Sequence, residues 1–290
     1  MIPILKILRT SKEINQTTRE KSWNDAYGIV EIEKTNKYLI NNNIEGYAEY
    51  IEVLNKFLIN KNFNQWKIAE FACGTAPLAY FFRNAYNKEI ICSDYSQVIV
   101  DHLKKKYHFQ TKKADISSLT NFNDTSLDCI FLGGGFYEDQ NPFFYKKVFN
   151  SLSRVISDNG KIFIFMNRHI SLINLRTYFK SIYFTKIRFK SWRWIRKLFN
   201  KSFINYEVAL YLYSSKFIKK ELIKSNLRCT KINYVGHALG LSEFLKFFLK
   251  DSAIEKIQKT NFFKKISTIL KKKNFNSFST RCVLEVEKNI

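Results

Sequence analysis

Residues 67–77, KIAEFACGTAP, gather the residue types that can seat a nucleotide-like ligand. Glu70 ends a short apolar run, a loop of very small residues follows, and Pro77 opens a helix. Small side chains at Ala72, Gly74 and Ala76 let the backbone approach a ligand closely, and a helix that starts at Pro77 aims its free N–H groups and positive dipole end at whatever sits there. A second acid, Asp94, stands 24 residues after Glu70, where the apolar run 89–93 ends. A carboxylate at that place in a nucleotide-binding fold accepts both ribose hydroxyls in charge-assisted hydrogen bonds. Capping of the helix that begins at Tyr95-Ser96-Gln97 is the competing reading of Asp94.

The glycine spacing narrows the chemistry. A dinucleotide site needs G-x-G-x-x-G and a phosphate loop needs G-x-x-x-x-G-K-[ST]; the chain has neither. A strand-end acid followed by G-x-G-x-G, with alanine at the first and third places as Ala72 and Ala76 and with Gly74 kept, resembles motif I of the class I S-adenosylmethionine (SAM)-dependent methyltransferases. A small-residue turn between any buried strand and helix looks similar, so the order and spacing of further motifs must carry the resemblance. It implies SAM as cofactor, with Glu70, Ala72, Gly74 and Ala76 around its methionine end and Asp94 and Tyr95 at its ribose. It also implies that Asp115 takes the adenine amino group and that the N–H of Ile116 meets a ring nitrogen. N-terminal helices of the family fold over the methionine end and supply an aromatic side chain, a part open to Tyr47, Tyr50 or Trp23.

Strand and helix alternate after the cradle, which predicts a parallel sheet with helices on both faces. Residues 128–132 read as a buried strand that opens into Gly133-Gly134-Gly135, three glycines whose bare backbone faces the cleft where open α/β sheets bind ligands. A helix then starts at Asn141-Pro142, with Phe144, Val148, Leu152 and Val155 on one face, and Asn159-Gly160 leads to a strand over 161–166. This succession resembles the family's hydrophobic helix and Pro-Gly-Gly strand. A helix to about residue 226, a strand over 229–235 and an alternating strand over 281–287 resemble the close of the small-molecule, lipid and glycan methyltransferases. The resemblance thus implies a Rossmann-like seven-stranded sheet, mostly parallel with one antiparallel strand. A helical cap is expected over residues 1–60, helical from about residue 11, and the SAM-binding domain over 61–290.

Residues 168–205 fit no element of that sheet; in the resembled enzymes a substrate lid grows at this place, above the transferable methyl. These residues hold ten Lys and Arg interleaved with aromatic side chains, and no Asp or Glu. Such a segment can hold a phosphorylated or lipid-linked acceptor, lie on an anionic membrane, or stack on RNA bases. The whole chain carries 48 Lys and Arg against 25 Asp and Glu, a net charge of +23, and so favours anionic partners. The abundance of Lys, Asn, Ile and Phe is also what an AT-rich genome imposes. Five cysteines without a C-x-x-C pair read as buried residues in a reducing compartment, and no apolar run reaches the length of a membrane span. The expected location is cytoplasmic, with a peripheral place at the inner membrane surface left open.

The expected function is methyl transfer from SAM to an anionic small-molecule, glycan or lipid-linked acceptor. RNA methylation and a non-catalytic SAM-fold protein that uses its basic lid for interaction are the alternatives. If the acceptor is a hydroxyl, Glu138, Asp139 or His169 can take its proton, as can His237. No metal-ligand cluster is legible.

Overall fold

The computed structural model describes residues 4–11, 47–133, 142–167, 206–245, 249, 251–272, 279 and 281–289. Its centre is a seven-stranded sheet. Strand β1 is Ile4–Ser11 and helix α1 Tyr47–Leu58; β2 (Ile68–Phe71) leads into α2 (Pro77–Tyr86), and β3 (Ile91–Asp94) into α3 (Gln97–Tyr107). Strands β4 (Thr111–Lys113) and β5 (Leu127–Leu132) follow, then α4 (Pro142–Val155) and β6 (Ile156–Asn167). The chain continues through β7 (Tyr206–Tyr213), α5 (Ser215–Ile223), β8 (Leu227–Val235), α6 (His237–Leu245), α7 (Asp251–Gln258), α8 (Asn261–Lys272) and β9 (Arg281–Lys288).

The sheet order is β4-β3-β2-β5-β6-β9-β8. Every neighbouring pair is parallel except β6–β9 and β8–β9, so β9 alone runs against the rest. This is the expected Rossmann-like sheet. Its central strands β2 and β5 are short and buried on both faces, as their near-continuous apolar sequences require. One face packs Tyr50, Leu54 and Leu58 of α1, Leu78 and Phe82 of α2 and Leu103 of α3 against Cys129, Phe131 and Phe163. The other packs Val148, Leu152 and Val155 of α4 and Ile218 and Leu222 of α5 against Ile130, Ile162 and Leu284. Apolar residues three and four apart put each helix on the sheet along one stripe.

Local signals fix where the helices begin and end. Pro77 sits in the first turn of α2, and Asn87 ends that helix in a left-handed conformation, φ 49°. The Ser96 hydroxyl accepts the N–H of Ile99 to cap α3, and the Ser214 hydroxyl accepts that of Phe217 to cap α5.

Three features depart from the sequence reading. Residues 4–11, expected in a helical cap, form a strand that pairs antiparallel with β7, Ile4 opposite Tyr213 and Ser11 opposite Tyr206. The partner strand, Tyr206–Tyr213, is likewise not among the elements expected from the sequence. Pairing of segments about two hundred positions apart leaves no local pattern to read. Helices α6, α7 and α8 between β8 and β9 were also not expected; they pack on one another, and the Gln258 amide donates to the Ser242 hydroxyl at 2.7 Å. Finally, α4 gives way to β6 at Ile156, so Asn159 and Gly160 lie in an irregular start of the strand rather than in a helix stop.

Candidate active site

β2, β3 and β5 end side by side, Phe71 level with Ser93 on one side and Leu132 on the other. The loop after β2 therefore lies at the carboxyl edge of the sheet, where such folds bind ligands. Its backbone alternates: Ala72, Gly74 and Ala76 have φ of 48°, 50° and 52°. These are the three places of G-x-G-x-G, so the left-handed turns are made although alanine stands at two of them. Each alanine bears steric strain of about 1–2 kcal/mol there. The Cys73 N–H donates to the Ser93 carbonyl at 3.1 Å, and the Ala76 N–H to the Cys73 carbonyl at 2.7 Å.

Two glycines have separate reasons to be glycine. A Cβ built on Gly74 meets no atom within 4 Å, so the space in front of it is open to a ligand. A Cβ on Gly133 would lie 2.7 Å from the Ala72 carbonyl oxygen, because the end of β5 presses against the cradle, its N–H bonded to the Phe71 carbonyl at 3.1 Å.

Two buried carboxyl groups brace the loop. Glu70, 2% exposed, accepts the Ala79 N–H at 3.0 Å and the Leu78 N–H at 3.5 Å, which clamps the start of α2 to the end of β2. Burial pushes its carboxyl up to about 8, against the pull of those two amides. Asp94 Oδ2 accepts the Gly74 N–H at 3.0 Å, and Oδ1 accepts the Ser96 N–H at 2.9 Å. Desolvation raises the Asp94 pKa above its usual range although amides of Ser96, Gly74 and Tyr95 work against it. The capping of α3 belongs to Ser96, so Asp94 is released from that role and instead ties β3 to the glycine loop. With those amides met, the carboxylate keeps acceptor capacity for a ligand hydroxyl.

The remaining predicted residues divide. Asp115 and Ile116 follow β4 at the same edge. Asp115 is exposed and accepts the Ser117 N–H at 2.8 Å, and the Ile116 carbonyl accepts the Ser151 hydroxyl at 2.5 Å. Tyr95 is 47% exposed beside Asp94, with Lys113 Nζ 5.8 Å from its ring centre. Tyr50 is buried against Phe165, ring centres 4.9 Å apart, and so packs as core rather than reaching over the cradle. His237 is 3% exposed at the start of α6. The side chain of Tyr47 and residues Trp23, Gly134, Gly135, Glu138, Asp139 and His169 lie outside the described residues, as does the lid 168–205. No His, Cys, Asp or Glu cluster among the described residues suits a metal ion. One residue at this edge was not anticipated: Arg281, level with Asn167 of β6 and Val235 of β8.

The open space in front of Gly74, the buried carboxyl group of Asp94 beside it and the N-terminus of α2 behind them fit a nucleotide-like ligand such as SAM. Residues 68–160 match the family model described as a methyltransferase domain. Among solved structures, the chain is similar to a SAM-dependent methyltransferase from Archaeoglobus fulgidus, 14% identical, TM-score 0.47, covering 83% of this chain and 93% of that one. It is also similar to a SAM-dependent methyltransferase from Mesorhizobium loti, 11% identical, TM-score 0.45, covering 79% and 93% of the two chains. A third is geranyl diphosphate C-methyltransferase from Streptomyces coelicolor, 8% identical, TM-score 0.45, covering 82% and 79%, in a complex with magnesium, geranyl diphosphate and S-adenosylhomocysteine. No curated protein matches the chain in sequence.

Proposed function

We propose that this chain, a class I SAM-dependent methyltransferase, acts on an anionic small-molecule, glycan or lipid-linked acceptor. The observation that carries the reading is the cradle, open in front of Gly74 and rimmed by Asp94, whose carboxylate is fixed by two backbone N–H groups. The sulfonium of SAM supplies an already activated methyl group. The protein's part is then to hold an acceptor nucleophile in line with it, and positioning of that kind can lower the barrier by roughly 7–11 kcal/mol.

In this reading Asp94 accepts the ribose hydroxyls, Asp115 and the Ile116 amide face the adenine, and Gly74 gives the methionine end room. Glu70 positions the loop through α2 rather than by touching the ligand. Glu138, Asp139 and His169 stay the candidates for taking a proton from a hydroxyl acceptor.

The net charge of +23 and the ten cations of residues 168–205 support an anionic acceptor. Incubation with methyl-labelled SAM against glycolipid extracts, phosphorylated metabolites and RNA tests the acceptor class. Label in the first two fractions supports the proposal. Label in RNA alone replaces it with RNA methylation.

A further inference from the structure

The end of the sheet away from β4 is not level with the cradle. Phe71 of β2 pairs with Leu132 of β5, Leu132 with Ile164 of β6, and Ile164 with Leu284 of β9. Beyond that level β6 runs on to Asn167 and β9 starts as early as Arg281. Three further residues at strand rise make a wall about 10 Å high beside the cleft, and three interstrand steps place it roughly 14 Å across from β2. Arg281 stands at the top of this wall.

Strand alternation puts Arg281 on the same face as Val283, the face on which α1 and α2 pack. Its guanidinium carbon is 5.8 Å from the centre of the Tyr50 ring. Tyr50 is itself fixed, 6% exposed and edge-on to Phe165. A planar guanidinium held near an aromatic ring is preorganised, so less freedom is lost when its N–H groups engage a ligand.

The other arginines whose side chains are described have their charges met. Arg83 pairs with Glu89, Arg154 with Asp124 and Arg228 with Glu287. Along β9, Glu285 and Glu287 take Lys231, Lys161 and Arg228 at the far end of the strand. Among the described residues no carboxylate pairs with Arg281, although it is only partly exposed. A half-buried guanidinium at the carboxyl edge of the sheet, with no acid of the described residues paired to it, is poised to receive an anion.

We infer that Arg281 is the anchor for the acceptor, binding a carboxylate or phosphate group through paired N–H donors and so holding the nucleophile toward the cradle. The inference rests on the proposed methyl transfer and deepens it by naming the group on the acceptor that is recognised.

The test uses three probes on one ring skeleton, glucose, glucuronate and glucose 6-phosphate, titrated by calorimetry into the full chain loaded with S-adenosylhomocysteine. Wild type should bind at least one anionic sugar about tenfold or more tightly than glucose. Whether glucuronate or the phosphate is preferred tells the two anion types apart. Arg281→Gln should lose this preference while its affinity for S-adenosylhomocysteine stays unchanged, and Arg281→Lys should recover only part of it. Equal binding of charged and neutral sugars by wild type, binding of none of them, or full discrimination by Arg281→Gln would each overturn the assignment. Failure of S-adenosylhomocysteine to bind at all would instead overturn the methyltransferase reading, and the sugar titrations, run also without it, would still judge Arg281.

Discussion

Replacement of Asp94 separates its two duties. In the folded protein its oxygens accept N–H groups from Gly74 at 3.0 Å and Ser96 at 2.9 Å, and acceptor capacity remains for the ribose hydroxyls. Asp94→Ala removes both hydroxyl contacts, each a hydrogen bond to a charged group contributing about 1.5–3 kcal/mol. Water and relaxation of the loop return part of that, so a tenfold to hundredfold loss of SAM affinity is expected, about 1.4–2.8 kcal/mol. Asp94→Asn keeps the shape and one carbonyl oxygen and should fall between. Stability should move differently. Burial raises the Asp94 pKa, so the folded state holds a proton that the unfolded state releases above about 3.8, and this contribution to stability is lost as pH rises through the folded value. The neutral asparagine lacks that penalty and should gain relative to wild type as pH rises. For the same reason wild-type SAM affinity should begin to fall on acidification at a higher pH than an ordinary aspartate would give. Calorimetry with S-adenosylhomocysteine, paired with urea melts over a pH series, reads both effects. A folded Asp94→Ala protein that binds within twofold of wild type would refute the ribose role.

Other perturbations follow from the same cradle. Gly74→Val should abolish SAM binding with a loss of only about 1–2 kcal/mol in stability, since its side chain enters open space and its backbone is left-handed; comparable collapse of fold and binding in melts and calorimetry would show that the position is structural. Ala72→Gly should leave stability within about 0.5 kcal/mol of wild type, relief of left-handed strain being offset by the lost methyl contact and the freer unfolded chain, and a change of more than about 1 kcal/mol in either direction in denaturant melts would contradict this. With the Glu70 carboxyl raised to about 8, wild-type stability should fall as pH climbs from 4.5 toward 8, and Glu70→Gln should flatten that decline; parallel pH curves for the two proteins would exclude Glu70 as its source. Changing Arg188, Arg193, Arg196 and Lys197 to glutamine should leave SAM affinity intact, reduce acceptor turnover and weaken its salt dependence; identical salt response in turnover assays would mean that this charge is only solvated.

The parts of the site legible in the sequence are those whose chemistry is local. A small-residue loop before Pro77 and an acid ending the next strand are read from adjacent residues, and they stand at one edge because parallel strands in register put them there. Glu70 reads only as a strand-end acid; that both of its oxygens face α2 amides depends on how the helix folds back. Arg281 gives no signal at all, because an arginine at the start of an alternating strand is ordinary until β6 and β8 place it at the carboxyl edge of the sheet. The β1–β7 pair and the helices α6 to α8 were missed for related reasons: the first is a long-range pairing, and the second fills an interval between two strands whose topology alone sets no length.

The alanines at 72 and 76 carry the last step. Read as letters, they degrade a glycine motif; read as backbone, they do not, since both hold the left-handed φ that the motif's glycines permit. The strain of about 1–2 kcal/mol at each must be offset by what the extra methyl touches. Ala76 is fully buried in the core that includes Leu78, Ala79 and Phe82, and Ala72 packs against the opposite core. Methyl burial contributes about 0.8 kcal/mol per carbon, close to the strain it opposes. A Cβ at Gly74 meets no atom of the described residues within 4 Å, chain neighbours aside, to offer that return, and in the proposed site a side chain there would meet the ligand instead. The one place of the three that keeps its glycine is therefore the place where, in the proposed site, a side chain would displace the cofactor rather than fill the core.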